Sequence, residues 1–267
     1  MILSDYHMHT EFSGDSIENI DDLVRYAIDM GLEEIAITDH FEYDMEGITG
    51  KWILDLKKYT EKIEEIKERY SKEIKIKLGV EVGVQPHTRD YIEGELKKYP
   101  FDFIIASGHG IERQDISFGK IHIGKTRDEV QTMYFENLLK NVEVYSHYSV
   151  YGHLDFITRY GGEKFRGLNY DRQKDIIDEI LKIIIYKGKG IEINTSGFRY
   201  GENRFYPDTR VLKRYFELGG EIITVGSDAH KKEDIGKDFN KVYDFLKSIG
   251  QNYICLFENM NPIFKKI

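Results

Sequence analysis

Short apolar runs rich in β-branched residues recur along the chain: ILSDYHMH from residue 2, EIAITDH from 34, KIKLGVEVG from 75, FDFIIASGH from 101, VYGHLDF from 150, GIEINTSG from 190 and EIITVGSDAH from 221. Each has the length and composition of a buried strand. Between most of them lie longer segments with apolar residues at i, i+3, i+4 and i+7, the period of a helix with one face turned to a core. These are IENIDDLVRYAIDMGL, DLKKYTEKIEEIKERY, DEVQTMYFENLLKNVEVY, YDRQKDIIDEILKIIIYKG, DTRVLKRYFELGG and KEDIGKDFNKVYDFLKSIG. Several end in glycine, at Gly31, Gly188, Gly219 and Gly250, as helix C-termini often do. The alternation predicts βαβ units and a parallel sheet, an α/β fold either doubly wound or closed into a barrel. A last apolar run, NYICLF from 252, is expected to close the sheet's edge. No repeat, low-complexity stretch or Pro/Ser-rich linker interrupts the pattern, so residues 1–267 are expected to form a single domain.

Composition excludes several classes of function. The chain is 40% hydrophobic and 32% charged, with 38 basic against 47 acidic residues for a net charge of −9. That balance argues against tracking the phosphates of long nucleic acid, which needs basic surface to release counterions. No window holds the run of apolar residues that a membrane helix requires, and the start, MILSDYHMHT, has neither a basic region nor a cleavage site. A cytoplasmic location without membrane partners is expected. The single cysteine, Cys255, excludes an intramolecular disulfide and a thiolate zinc cage, so any metal must be held by nitrogen and oxygen.

The chemistry emerges from where the histidines fall. The first strand ends in His7-Met8-His9, and residues two apart on a strand face the same way. The second ends in Thr38-Asp39-His40, the third carries Glu81, and the fourth ends in Ser107-Gly108-His109. The fifth carries His153 before Leu154 and Asp155, and the seventh ends in Asp228-Ala229-His230. Six of the nine histidines thus lie at strand C-termini, the edge where active sites of parallel α/β folds assemble. His87, His122 and His147 fall outside the pattern. One such histidine is most simply a hydrogen-bonded core or turn residue, but six beside Glu81 and Asp228 point to bound cations. A buried glutamate within GVEVG is costly unless paired or coordinating a cation. Imidazole and carboxylate without thiolate suit zinc, iron or manganese, and so many ligands imply two or three ions.

The ordered set of His-x-His near the N-terminus, TDH after the second strand, a strand glutamate, isolated strand-end histidines and a late SDAH resembles the polymerase-and-histidinol-phosphatase (PHP) superfamily. The resemblance runs from Asp5 to about His230 and implies a distorted seven-stranded βα barrel, TIM-barrel-like, with three divalent ions (Zn, Fe or Mn) at the C-terminal ends of its strands. It implies one ion held by His7, His9, Glu81 and Asp228, with Glu81 bridging to a second held by His109 and His153. A third would take His40, His230 and Asp15, where many members place histidine. Asp39 and Asp155 are read as acids that orient imidazoles or shape turns, with the turn role favoured for Asp155.

Within the superfamily, GHLDFITRYG from 152 and INTSGFRYGENRFYP from 193 resemble the histidinol-phosphate phosphatase branch, in which arginines after the fifth and sixth strands engage the substrate phosphate. Arg159 and Arg199 match those places, and a guanidinium can fork two phosphate oxygens. The segment GIERQDISFG after His109 departs from the branch's pattern. Histidinol phosphate also carries cationic groups, which Glu42, in the loop HFEYDMEG, is expected to meet; Asp44, Glu46 and Glu112 are read as solvated acids. The expected reaction is L-histidinol phosphate plus water to L-histidinol and phosphate, a step of histidine biosynthesis. Its nucleophile would be a hydroxide formed on two ions, held by Glu81 and Asp228 among others, with His230 or the third ion serving the leaving alkoxide. The rival readings are another phosphoesterase of this superfamily, acting on phosphotyrosine or on small nucleotides as an exonuclease does, and a non-enzymatic metal-binding module.

Overall fold

The apolar runs become strands because each is buried on both faces, as a parallel sheet wrapped by helices requires. In the computed structural model, which describes residues 4–267, the barrel strands are β1 (Ser4–Asp5), β2 (Glu34–Ile37), β3 (Lys75–Gly83), β4 (Phe103–Ser107), β5 (Val150–Tyr151), β6 (Gly190–Asn194) and β7 (Ile223–Gly226). They pair in parallel in chain order, with Ser4 opposite Glu34, Ile35 opposite Ile76, Gly79 opposite Phe103, Ile105 opposite Val150, Val150 opposite Gly190 and Ile191 opposite Ile223. The Tyr6 N–H donates to Val225 O (3.0 Å) and the His9 N–H to Ala229 O (2.8 Å), bringing the last strand back to the first in a nearly closed barrel of seven parallel strands. Residues 2 and 3 of the expected first strand lie outside the described residues.

The connecting helices are α1 (Ile20–Asp29), α2 (Leu56–Arg69), α3 (Arg89–Leu96), α4 (Arg127–Val144), α5 (Tyr170–Tyr186), α6 (Thr209–Glu217) and α7 (Phe239–Ser248). All but α3 bury an apolar stripe, such as Ile20, Leu23, Val24 and Ala27 on α1. The eight-residue α3 was not legible as a helix, since Gly94 interrupts it and it buries only Ile92, Glu93 and Leu96. Gly31, Gly188, Gly219 and Gly250 each follow a helix with φ between 65° and 88°. Among the described residues no helix is long and apolar enough to cross a membrane.

NYICLF does not close the sheet's edge. It forms β8 (Tyr253–Glu258), which pairs antiparallel with β9 (Asn261–Lys266). Cys255 and Phe257 of this hairpin pack with Tyr6, Ala36, Phe103, Ile105 and Val150 inside the barrel. The Met260 N–H donates to the carbonyl of Asp102, just before β4. The hairpin therefore seals the N-terminal end of the barrel, leaving the opposite end free for a site.

Candidate metal centre

The C-terminal strand ends converge on Glu81. Its Oε2 lies 3.2 Å from His7 Nε2, 3.5 Å from His9 Nε2 and 3.1 Å from His40 Nδ1, and its Oε1 lies 2.8 Å from His153 Nε2 and 3.3 Å from His109 Nε2. Asp228 Oδ1 stands 3.8 Å from His7 Nε2 and 3.5 Å from both His9 Nε2 and His230 Nδ1. The extended backbone beyond β1 continues through Met8, which bridges to Ala229, so His7 and His9 enter the same space as Asp228 and His230. Asp15 Oδ2 lies 3.0 Å from His230 Nε2 and 3.5 Å from His40 Nε2, with its side chain 38% exposed at the mouth.

The histidines are arranged to present ring nitrogens to this space. The Nδ1–H of His7 donates to Glu192 Oε1 (2.6 Å) and that of His109 to Glu42 Oε1 (2.5 Å). Ser13 Oγ donates to Asp39 Oδ1 (2.6 Å), so it accepts from His9 Nδ1 at 3.1 Å and from the His40 N–H. At His230, Nδ1 donates to the carbonyl of Asp228 (3.1 Å). At His7, His9 and His109 these bonds fix the tautomer that leaves Nε2 with a lone pair, whereas His230 Nε2 also donates, to Asp15 Oδ2 (3.0 Å). Buried and without a hydrogen bond, His7 Nε2, His9 Nε2, His40 Nδ1 and Glu81 Oε2 face one another. Orphaned polar atoms of this kind cost free energy inside a protein unless a cation meets them.

Among the described residues, ligand atoms within 4.8 Å of one another form four overlapping groups: His7, His9 and Glu81; Glu81, His109 and His153; His9, His40 and His230; and His40, Glu42 and His109. Nitrogen and carboxylate oxygen in sets of three fit divalent zinc, iron or manganese.

The charges of the metal-free cluster reflect the same crowding. Burial disfavours a charged imidazole, but at His7 the carboxylates of Glu192, Glu81 and Asp228 outweigh it and hold the ring well above its usual range. Against the same burial, Glu81 and Asp15 raise His40, and Glu42 and Glu81 raise His109 to about 10. His9 falls to about 3, because burial is joined by repulsion from His230 and His40. Burial alone would raise Glu81 and Asp228, yet the surrounding imidazoles hold both well below the carboxylate range.

A cavity of about 370 Å³ opens onto the cluster, lined by Arg159, Tyr160, Trp52, Asp115 and Lys231 among others. Arg159 reaches to 3.7 Å from Asp228 Oδ2 and lies over the Tyr200 ring, 3.1 Å from its centroid. Arg199, expected to face a phosphate, is not among the residues lining the cavity. Its guanidinium donates to the carbonyls of Ser227 (2.5 Å) and Asp228 (3.0 Å), fixing the turn in which Asp228 adopts a φ of 56°. Glu42 borders the cavity, but its carboxylate is buried against His109, so the structure gives it an imidazole for a partner. Asp155 accepts from Arg204 Nη1 (2.6 Å) and the Asp208 N–H (3.0 Å) and holds no imidazole, whereas Asp39 acts on His9 through Ser13.

Sequence reading missed Glu192 and Ser13. Glu192 is 1% exposed, and its Oε2 also accepts from the His153 N–H (3.0 Å), so one carboxylate supports ligand segments on opposite sides of Glu81. A Cβ at Gly226 would collide with Glu192 and His7, which is why glycine ends β7. The signal was present: a glutamate within the apolar run GIEIN poses the same problem as Glu81 within GVEVG.

The family model of the PHP domain matches residues 5–196. The chain is 33% identical to a histidinol-phosphatase of Lactococcus lactis subsp. lactis, over 96% of this chain and 94% of that one. It is 31% identical to a probable histidinol-phosphatase of Clostridium acetobutylicum, over 97% and 95% of the two chains. The solved structure of the histidinol phosphate phosphatase from Lactococcus lactis, complexed with zinc, L-histidinol and phosphate, matches with a TM-score of 0.91 at 31% identity, covering 98% of each chain.

Proposed function

The chain belongs to the PHP domain family, and from that premise we propose that it is a metal-dependent phosphatase that hydrolyses L-histidinol phosphate to L-histidinol and phosphate, a step of histidine biosynthesis. The observation that carries the reading is the set of buried, unpartnered ring nitrogens and carboxylate oxygen around Glu81, at the floor of a cavity that also holds Arg159.

His7, His9, Glu81 and Asp228 would hold one ion, Glu81 with His109 and His153 a second, and His40, His230 and Asp15 a third. When bound, divalent ions supply Lewis acidity and a water of low pKa. The protein's own groups do the positioning. Glu192, Glu42 and Ser13 fix the rings, and Arg199 fixes the backbone of Asp228. Arg159 enters the cavity as a cation for the non-bridging phosphate oxygens, with its plane set by Tyr200. Where two ions bind, His230, raised against burial by Asp15 and Asp228, carries the proton for the departing alkoxide. Where three bind, His230 and Asp15 are ligands, and metal content distinguishes the two cases.

The test is metal analysis followed by phosphate release from L-histidinol phosphate, phosphotyrosine and a mononucleotide. The reading requires bound divalent ions and a clear preference for histidinol phosphate. Preference for either of the other two moves the chain to another phosphoesterase of the family, and no release from any would leave it a binding module.

A further inference from the structure

Five carboxylates among the described residues line the cavity: Asp15, Glu42, Glu81, Asp115 and Asp228. Four of them touch imidazoles of the cluster, as described above. Asp115 does not. Its Oδ1 accepts from the Ser117 N–H (2.7 Å), capping the short turn Ile116–Phe118, and no histidine, lysine or arginine among the described residues pairs with it.

Its position is nevertheless tied to the metal ligands. Residues Gly110–Ile111 and Gln114–Asp115 form a small antiparallel hairpin in which Asp115 lies opposite Gly110, the neighbour of His109. The Ile116 N–H donates to the carbonyl of His109 (3.1 Å). A half-buried carboxylate is thereby held at a fixed place beside the ligand set, with its cap using one oxygen and leaving the other for a ligand. Asp115 shares the cavity wall with Arg159, Tyr160 and Asp228.

We propose that Asp115 is the seat of the substrate's ammonium group and selects phosphate esters of amino alcohols over other phosphomonoesters. This rests on the phosphatase reading above. The phosphate dianion belongs with the ions and Arg159, and an ester bearing an ammonium close to its phosphate needs one anion beside them that is not already committed. Glu42 cannot serve, because His109 occupies it. Asp44 pairs with Arg113 and His87, Glu46 pairs with Lys120, and neither lines the cavity. A fixed carboxylate meeting an ammonium gives a charge-assisted bond and costs little ordering on binding.

The test compares the metal-loaded enzyme with Asp115→Asn, whose side-chain oxygen keeps the cap on Ser117. Each is assayed on L-histidinol phosphate and on the same ester without its amine. The ratio of kcat/KM between the two esters is expected to fall about 10- to 100-fold in the variant, mostly through KM. Asp115→Ser, a second uncharged cap, is expected to give the same split. An unchanged ratio in either folded variant overturns the assignment. Wild-type enzyme that hydrolyses the ester without the amine as well as the ester with it also overturns the assignment, while leaving the phosphatase reading intact. Failure of the wild-type enzyme on both esters overturns that reading as well.

Discussion

Glu192 touches no reacting atom in the proposed reaction, yet it bonds the side chain of His7 and the backbone of His153, which flank the two sides of Glu81. An anionic acceptor on the far nitrogen raises the basicity of a metal-binding imidazole and fixes its ring. Glu192→Gln keeps the shape and removes the charge. Metal affinity is expected to fall about 10- to 100-fold, read by titration with a chromogenic chelator, and the metal-free protein should also melt lower, because Glu192 is foremost among the carboxylates that hold His7 protonated there. Unchanged affinity would make Glu192 a packing residue. At this scale most of the site was legible, because a histidine or glutamate in an apolar strand end announces itself against its neighbours. Ser13 and Asp115 were not legible. A hydroxyl or an acid in a loop looks the same whether it orients an imidazole, caps a turn or is merely solvated.

At the scale of elements, the barrel strands and six of the helices followed from their periods, but two elements defeated that reasoning. The helix α3 carries too few apolar positions to print a stripe, and NYICLF has a composition that suits a sheet edge and a barrel plug equally. Only three-dimensional packing separates the two roles. Phe257 is 1% exposed among Tyr6, Phe103 and Cys255, far from the cluster at the other end of the strands. Phe257→Ala is expected to cost about 3–5 kcal/mol of stability through the cavity it leaves. Denaturant melts measure that loss. Because the hairpin bonds to the barrel at Asp102 and Tyr6 and packs on Ala36, Phe103, Ile105 and Val150, none of them a proposed ligand, metal stoichiometry should stay at the wild-type value. A variant that loses metal while still folded would show that the plug reaches the site through the strands.

For the whole molecule, the net charge of −9 and the crowded imidazoles make the ions part of the fold's energetics. In the metal-free protein His7, His40, His109 and His230 are raised by surrounding carboxylates against the pull of burial. A raised histidine contributes stability that is complete below its unfolded value of 6.5 and is lost as pH climbs through its folded value, about 10 for His109. Glu81 and Asp228, lowered by the imidazoles despite burial, contribute stability above the ordinary carboxylate range and lose it only in acid. Between those limits the cluster is held by its own ion pairs. Binding a divalent ion instead requires neutral imidazoles, so it releases protons and strengthens as pH rises. The two trends run in opposite directions. The melting temperature of the metal-loaded protein should therefore exceed that of the chelator-stripped protein by a margin that widens from about pH 6 to about pH 9. Paired thermal melts at the two pH values measure the margin, and one that stayed constant or narrowed would mean that these histidines do not exchange protons for metal.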